Sequence, residues 1–319
     1  MTVAGGLTAQ REFRHEALLY AGEDEFVEHA TDFIRAGLAR DEAVLAVVDA
    51  RKIRRLRAAL DASADHVHFA DMAQVGRNPA LIIQAWRDFV SEQRLDGRAM
   101  RCIGEPISAA RNPAALIECH IHESLLNIAF RDEPNLWLLC PYDTASLPMR
   151  VIEQTIVNHP FVCDGGGHRS SDTHQLEHAA GFARPLPPPV GEVVTVGFDD
   201  ATLQPLRRFI AAHAVAAGLD EVRIGELVVA ASEIATNAIV HGRGDGRVRV
   251  WTDAGHLVCE ITGPGHITDP LVGRLRPAHA QTHGRGIWLA NQFCDLVQIR
   301  CTEQTTTVRL HVRLPDRPE

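Results

Sequence analysis

The hydrophobic pattern alternates between short unbroken apolar runs and longer stretches with helical spacing. Ala17–Tyr20, Ala43–Val48, Met100–Ile103 and Leu136–Cys140 are apolar nearly throughout, as strands covered on both faces are. Val67–Phe69 is a shorter extended piece. Between them Glu25–Ala39 carries Phe26, Ala30, Phe33, Ile34 and Leu38 at helical spacing. Lys52–Leu60, Pro79–Gln93, Pro113–Phe130 and Leu147–Asn158 read as further helices. Strand and helix in alternation predict an α/β domain over about residues 10–163, with a mainly parallel sheet and helices on both faces.

The pattern then breaks. Residues 164–192 open on three glycines, run through polar positions and end with four prolines in five positions. This composition predicts an extended linker. From 193 to 319 the order is different. Val193–Phe198 reads as a strand, Thr202–Ala217 and Arg223–His241 as helices, and Arg247–Thr252 and Leu257–Thr262 as two strands. A loop rich in Gly, Pro, Arg and His fills 263–284. A short helix, Gly286–Phe293, and two closing strands, Leu296–Cys301 and Thr306–Leu314, complete the chain. Few of these strands are separated by helices, which predicts an α+β domain: an antiparallel or mixed sheet with helices on one face.

Composition narrows the class. Apolar residues make up 45% and charged residues 23% of 319 residues, as in a soluble globular chain. A net charge of −9 argues against direct nucleic-acid binding. The seven cysteines show no CxxC spacing and sit mostly in apolar runs, as buried thiols in a reducing compartment do. The first residues lack the apolar core of a signal peptide, and no stretch reaches about 18 uninterrupted apolar residues. The expectation is a cytoplasmic protein with no membrane partner. Of the 32 basic residues only Lys52 is a lysine, as the codon usage of a GC-rich genome would give.

Candidate chemistry concentrates in the helix Arg223–His241. Glu233, Asn237 and His241 lie at i, i+4 and i+8 and stack on one face. A carboxylate one turn from a carboxamide suits a general base beside a hard-oxygen ligand for Mg²⁺. Downstream come two strands, a glycine turn at Gly263 and Gly265, and then Gly284-Arg285-Gly286 opening a helix. Glycines at a helix start leave backbone N–H groups free to approach phosphate. Arg274, Arg276 and Arg285 are candidate phosphate partners. In the first domain His15, Glu105, His122, Glu123, Asn127, Cys140 and Asp143 are the polar residues of interest. Several stand at or beyond strand ends, where α/β sheets bind ligands. They are candidates for a signal-binding pocket, or for polar groups that satisfy the core.

These residues carry a resemblance. SEIATNAIVHG resembles the N box of the Bergerat-fold, histidine-kinase-like (GHKL) ATPases, among them the RsbW-type anti-sigma factors. EITGPGHITDPLVGRLRP followed by HGRGIWLANQFCDLVQIR resembles the kinase-like half of actinobacterial RsbA-type anti-sigma factors. HEALLY, RCIGE, HESLLN and CPYD resemble the MEDS sensory domain of the DcmR regulator.

The resemblance implies a sensory domain controlling an ATPase-like module. It implies ATP and Mg²⁺ as cofactors, with Glu233 as base, Asn237 on Mg²⁺, and His241, Gly263, Gly265, Gly284, Arg285 and Gly286 around the nucleotide. It also implies serine/threonine kinase activity on an anti-sigma antagonist, a sigma factor as partner, a small-molecule signal at the first domain, and a homodimer. The family's adenine-binding aspartate is matched here by Gly263. Loss of that hydrogen bond predicts affinity weaker by about 1.5–3 kcal/mol. A nucleotide-independent pseudo-kinase that keeps only the partner surface is the alternative. A two-component histidine kinase fragment is disfavoured, because no dimerisation helix with a phospho-accepting histidine precedes the ATPase-like half.

Overall fold

The computed structural model describes residues 13–165, 167–174, 182–242, 244–278 and 285–315. They divide into two compact units. One is drawn from within Met1–Val75, Trp86–Arg111 and Glu123–Leu176, the other from within Gly76–Ala85, Asn112–His122 and Glu177–Glu319.

The first sheet contains β1 (Arg14–Tyr20), β2 (Ala43–Val48), β3 (Val67–Asp71), β4 (Met100–Gly104), β5 (Leu136–Asp143), β6 (Phe161–Asp164) and β7 (Gly167–Ser170), in the order β3-β2-β4-β5-β1-β6-β7. All neighbours are parallel except the β6–β7 pair. The helices are α1 (Glu23–Leu38), α2 (Ala50–Leu60), the one-turn α3 (Met72–Val75), α4 (Ile82–Arg94), α5 (Pro113–Ala129) and α6 (Met149–Asn158).

The chain moves one way along the sheet from β1 through β2 to β3, then reverses through β4, β5 and β6. With right-handed crossovers, that reversal puts α1 and α2 on one face and α5 and α6 on the other. Packing agrees. Phe26, Ala30, Ile34, Leu56 and Leu60 of α1 and α2 bury against Leu18, Tyr20, Val44, Ala46 and Val48. The predicted α/β class is therefore the observed one. The difference lies at 161–170. Gly165 and Gly167, read as part of a linker, instead stand where β6 pairs with β7, because strand pairing at a sheet edge supplies backbone partners that the composition alone does not reveal.

The second sheet contains β8 (Val194–Asp199), β9 (Asp245–Asp253), β10 (His256–Pro264), β11 (Leu296–Cys301) and β12 (Thr305–Arg313), in the order β11-β12-β10-β9-β8. Every described pairing is antiparallel, the simpler of the two expected arrangements; none is mixed. Among the described residues α7 (Leu203–Ala216), α8 (Glu221–His241) and α9 (Gly286–Phe293) accompany it. Asp220 caps α8, its carboxylate accepting from Arg223 N at 2.9 Å. Ala230, Ala231 and Ala235 give α8 a small-residue face that buries against the sheet beside Leu227 and Ile234.

A buried ionic group also lies within this unit, which takes in the first half of α5 through Asn112–His122. Glu118 Oε1 accepts from Arg300 at 2.7 Å and from Gln298 Nε2 at 3.3 Å, and Glu118 Oε2 lies 4.0 Å from Arg274. No helix among the described residues is long and apolar enough to cross a membrane.

Candidate functional site

In the second unit the chemistry gathers around a cavity of about 330 Å³. Ile234, Asn237, Ala238 and His241 of α8 form one side. Ile261, Gly263 and Pro264 of β10, with Val308 of β12, form another. Gly265, Ile267, Asp269 and Val272 of the following loop, and Ile287 of α9, close it. The lining is mostly aliphatic with a few polar groups at the edge, the usual make-up of a small-ligand site.

Helical spacing on α8 positions the residues as expected. Glu233 and Asn237 are half-buried and His241 is exposed. Both of the first two stand against the start of α9. A Cβ added to Gly286 would lie 2.9 Å from Asn237 Nδ2, 3.1 Å from Glu233 Cβ and 3.2 Å from Glu233 Oε2. Only glycine lets the backbone at this helix start come so near the acid and the amide. Position 263 is similar. Its Cβ would meet Ala238 Cβ at 2.6 Å, so glycine is what lets α8 lie against β10 here. An aspartate at 263 has no room on this backbone. The acid that does line the cavity is Asp269, whose carboxylate also accepts from Leu271 N at 2.9 Å.

Gly265 takes a positive φ of 120° and ends the strand; its N–H donates to Gln304 O at 3.1 Å. Arg285 is exposed just before α9, and Gly284 lies outside the described residues. Arg274 is not free for phosphate. It is buried beside Glu118, which raises its pKa against the larger lowering effect of burial.

Six of the seven first-domain sequence candidates separate into two groups, and His122 joins neither. Glu105 belongs to one at the C-terminal ends of β1, β2 and β4, where the crossover direction changes and open α/β sheets bind ligands. Lys52 Nζ donates to both Glu105 oxygens, at 2.6 and 2.5 Å, and to Tyr20 Oη at 2.8 Å. Tyr20 Oη in turn donates to Glu105 at 2.5 Å. Burial pushes the Glu105 carboxyl up against the opposing pull of Lys52, and burial with the Glu105 charge pushes the Tyr20 phenol up. Asp143 lies nearby at the end of β5, accepting from Gly22 N at 3.1 Å and Ala145 N at 3.0 Å. Burial raises its carboxyl, but these donors outweigh it and hold it below the ordinary range.

The other group lies under α5 and α6. His15, Glu123, Cys140 and His159 are all buried, and their ligand atoms lie within 4.8 Å of one another. Asn127 joins through His15 Nδ1 at 3.0 Å. Burial, followed by the charge of His159, lowers the His15 pKa to about 4. Burial, followed by Glu123, pushes the Cys140 thiol well up. His122 is buried on the same helix but is not one of the four convergent residues. Sequence reading missed Tyr20, Lys52 and His159. Lys52 did carry a signal, as the one lysine in an arginine-rich chain.

Comparison with known proteins adds three findings. Residues 14–160 match the MEDS family model, described as the methanogen/methylotroph DcmR sensory domain. Residues 197–312 match the histidine kinase-like ATPase domain. A solved structure of the RsbU and RsbW domains of Rv1364c from Mycobacterium tuberculosis aligns with 19% identity and a TM-score of 0.30, over 40% of this chain and 34% of that one. No protein of curated function matches the chain.

Proposed function

Starting from a chain that joins a MEDS domain to a histidine kinase-like ATPase domain, we propose that this protein is a signal-controlled anti-sigma regulator. Its second domain binds Mg-ATP, holds a sigma factor in one state and releases it in favour of an antagonist protein in another. Its first domain supplies the signal. The observation that carries the nucleotide reading is the cradle at Gly286: a backbone that only glycine permits, flanked by Glu233 and Asn237, beside an aliphatic cavity of about 330 Å³.

The donor set fits this nucleotide. The cavity would take the base between Ala238, Ile261 and Val308. Asn237 would hold Mg²⁺ through its amide oxygen, and the Gly286 N–H with the start of α9 would face the phosphates. Bound Mg-ATP supplies the transferable phosphoryl group and neutralises its charge. Glu233 accepts the proton of an antagonist Ser or Thr hydroxyl as that oxygen bonds to the γ-phosphorus and the bond to the β-phosphate oxygen breaks. Since 263 leaves no room for an acid, Asp269 is the carboxylate that remains to meet the base. His241, exposed at the cavity, and Arg285, exposed just before α9, would be the groups to meet the outer phosphates.

A second reading rests on that same apolar wall at Gly263: a pseudo-kinase that keeps the partner surface without nucleotide. Isothermal titration separates the two. The proposal expects heat of binding for Mg-ATP in the micromolar to millimolar range, weakened at least tenfold by Asn237→Ala. Absence of heat at millimolar nucleotide would leave only the binding module. Capture of a purified sigma factor by the full chain, reversed by the antagonist protein, tests the partner-switching half of the proposal. A cytoplasmic location and self-association belong to it as well. Sedimentation of the full chain as a monomer at all concentrations would remove the dimer.

A further inference from the structure

We propose that His15, Glu123, Cys140 and His159 form a closed binding site for one divalent transition-metal ion of the zinc type, inside the MEDS domain. This is independent of the nucleotide reading.

Four elements converge to make it. His15 stands on β1 and Cys140 on β5, and the register that pairs Ala17 with Cys140 brings both side chains to one face of the sheet. Glu123 comes from α5, and His159 follows directly after α6. Glu123 Oε2 lies 3.2 Å from His15 Nε2 and 3.3 Å from His159 Nε2, and Cys140 Sγ lies 3.4 Å from His15 Nε2.

The direction of the hydrogen bonds decides what belongs between these atoms. His159 Nδ1 lies 2.8 Å from Thr155 O. A carbonyl only accepts, so Nδ1 carries the proton and Nε2 holds a lone pair. The Asn127 amide is oriented by its Nδ2, which donates to Asn158 O at 2.9 Å. Its oxygen therefore faces His15 Nδ1, at 3.0 Å, and accepts there. The His15 Nε2 atom is left with a lone pair too. The Cys140 thiol has one proton to share with His15 Nε2, at 3.4 Å, whereas His159 Nε2, 3.3 Å from Glu123 Oε2, keeps its lone pair without a donor. His159 Nε2 is fully buried and makes no hydrogen bond. A fully buried imidazole lone pair facing a carboxylate oxygen calls for a positive charge between them.

A metal ion fits better than a proton. One proton bridges only two of the four atoms. For zinc, bonds of about 2.0–2.3 Å to N, O and S place tetrahedral ligands about 3.3–3.6 Å apart, against 3.2, 3.3 and 3.4 Å here. The remaining pairs, at most 4.8 Å apart, have to close by about 1 Å. A thiolate with two imidazoles selects a zinc-type ion over Mg²⁺ or Ca²⁺. Asn127 and Thr155 O supply the outer partners that ligating histidines use to fix ring and tautomer. With four protein ligands and no exposure the site holds no substrate. It ties β1, β5, α5 and the end of α6 together, and the ion enters as the domain folds.

The test uses the full chain, produced in zinc-supplemented medium and dialysed against chelator, with metal counted by mass spectrometry. About one zinc per chain is expected, falling below a tenth in Cys140→Ser and His159→Gln and staying near one in Cys102→Ala. Refolding with Co²⁺ should give the visible bands of a tetrahedral site, with a thiolate charge-transfer band absent in Cys140→Ser. Should the ligand variants fail to fold, Asn127→Ala keeps all four ligands and is expected to weaken metal binding 10- to 100-fold. Wild-type protein with no zinc and no cobalt spectrum would show that protons alone occupy the cluster and overturn the proposal. Metal content unchanged by the ligand variants would overturn it equally.

Discussion

The two domains keep their polar residues in opposite ways. In the first, His15, Glu123, Cys140 and His159 are sealed at full burial. In the second, Asn237, His241 and Asp269 stand at the edge of a cavity reached from solvent. A sealed group must be satisfied by its own members or by an ion captured on folding, since an unmatched buried polar atom costs about 1–3 kcal/mol. An open cavity is satisfied by water until a ligand replaces it. Fixed architecture belongs to the first arrangement and exchange to the second. Substitutions within the sealed cluster should therefore affect stability, and those of polar groups at the cavity edge affinity.

The largest effect expected is on the sealed side. Glu123→Ala removes the one carboxylate shared by two imidazoles, leaving a void and unmatched nitrogens. A loss of about 3–5 kcal/mol is expected, read from the urea midpoint with nucleotide affinity unchanged. A loss under about 1 kcal/mol would mean that the cluster is not sealed. On the open side, Gly286→Val drives a side chain into Glu233 and Asn237. Affinity for Mg-ATP should fall at least 100-fold by titration calorimetry, with the far-ultraviolet circular dichroism unchanged.

Gly263→Asp sharpens the contrast further. If 263 only lacked an acid, restoring it should tighten nucleotide binding. The 2.6 Å approach to Ala238 Cβ instead predicts destabilisation of about 2 kcal/mol and no gain in affinity. Asp269→Asn should weaken binding less, about three- to tenfold. The smallest effect concerns acid. Burial, with His256 and Arg309 adding to it, holds His311 near pKa 3, against 6.5 when unfolded, and its Nε2 lies 3.1 Å from Gln298 Oε1. A depressed histidine favours folding above its unfolded pKa, and that contribution is lost as pH falls from about 6.5 towards 3. Allowing for its partial exposure, about 1 kcal/mol should be lost by pH 5, and His311→Gln should flatten that slope.

Local patterns were readable and long-range convergence was not. The apolar runs at Ala43–Val48 and Leu136–Cys140 announced strands because burial on both faces leaves no alternation to confuse with a helix. Glu233 and Asn237 could be placed on one face because a helix fixes i and i+4. The sealed cluster is different. His15, Glu123, Cys140 and His159 meet only through the β1–β5 register and the position of α5 and α6, and no spacing encodes that. His159, a single histidine between Asn158 and Pro160, carried no periodic signal. The linker expected over 164–192 begins instead with a paired strand, since glycine composition does not distinguish a hairpin turn from a spacer. The room at 263 was hidden as well, because it depends on how closely Ala238 approaches.

The proposed nucleotide site rests on Glu233, Asn237 and the Gly286 backbone. A crystal structure grown with Mg²⁺ and a non-hydrolysable ATP analogue is the decisive measurement. The base is expected in the aliphatic cavity, the phosphates over the Gly286 N–H and the metal ion on the Asn237 oxygen. A cavity filled by the protein's own side chains, or nucleotide bound away from these three residues, would rule that site out.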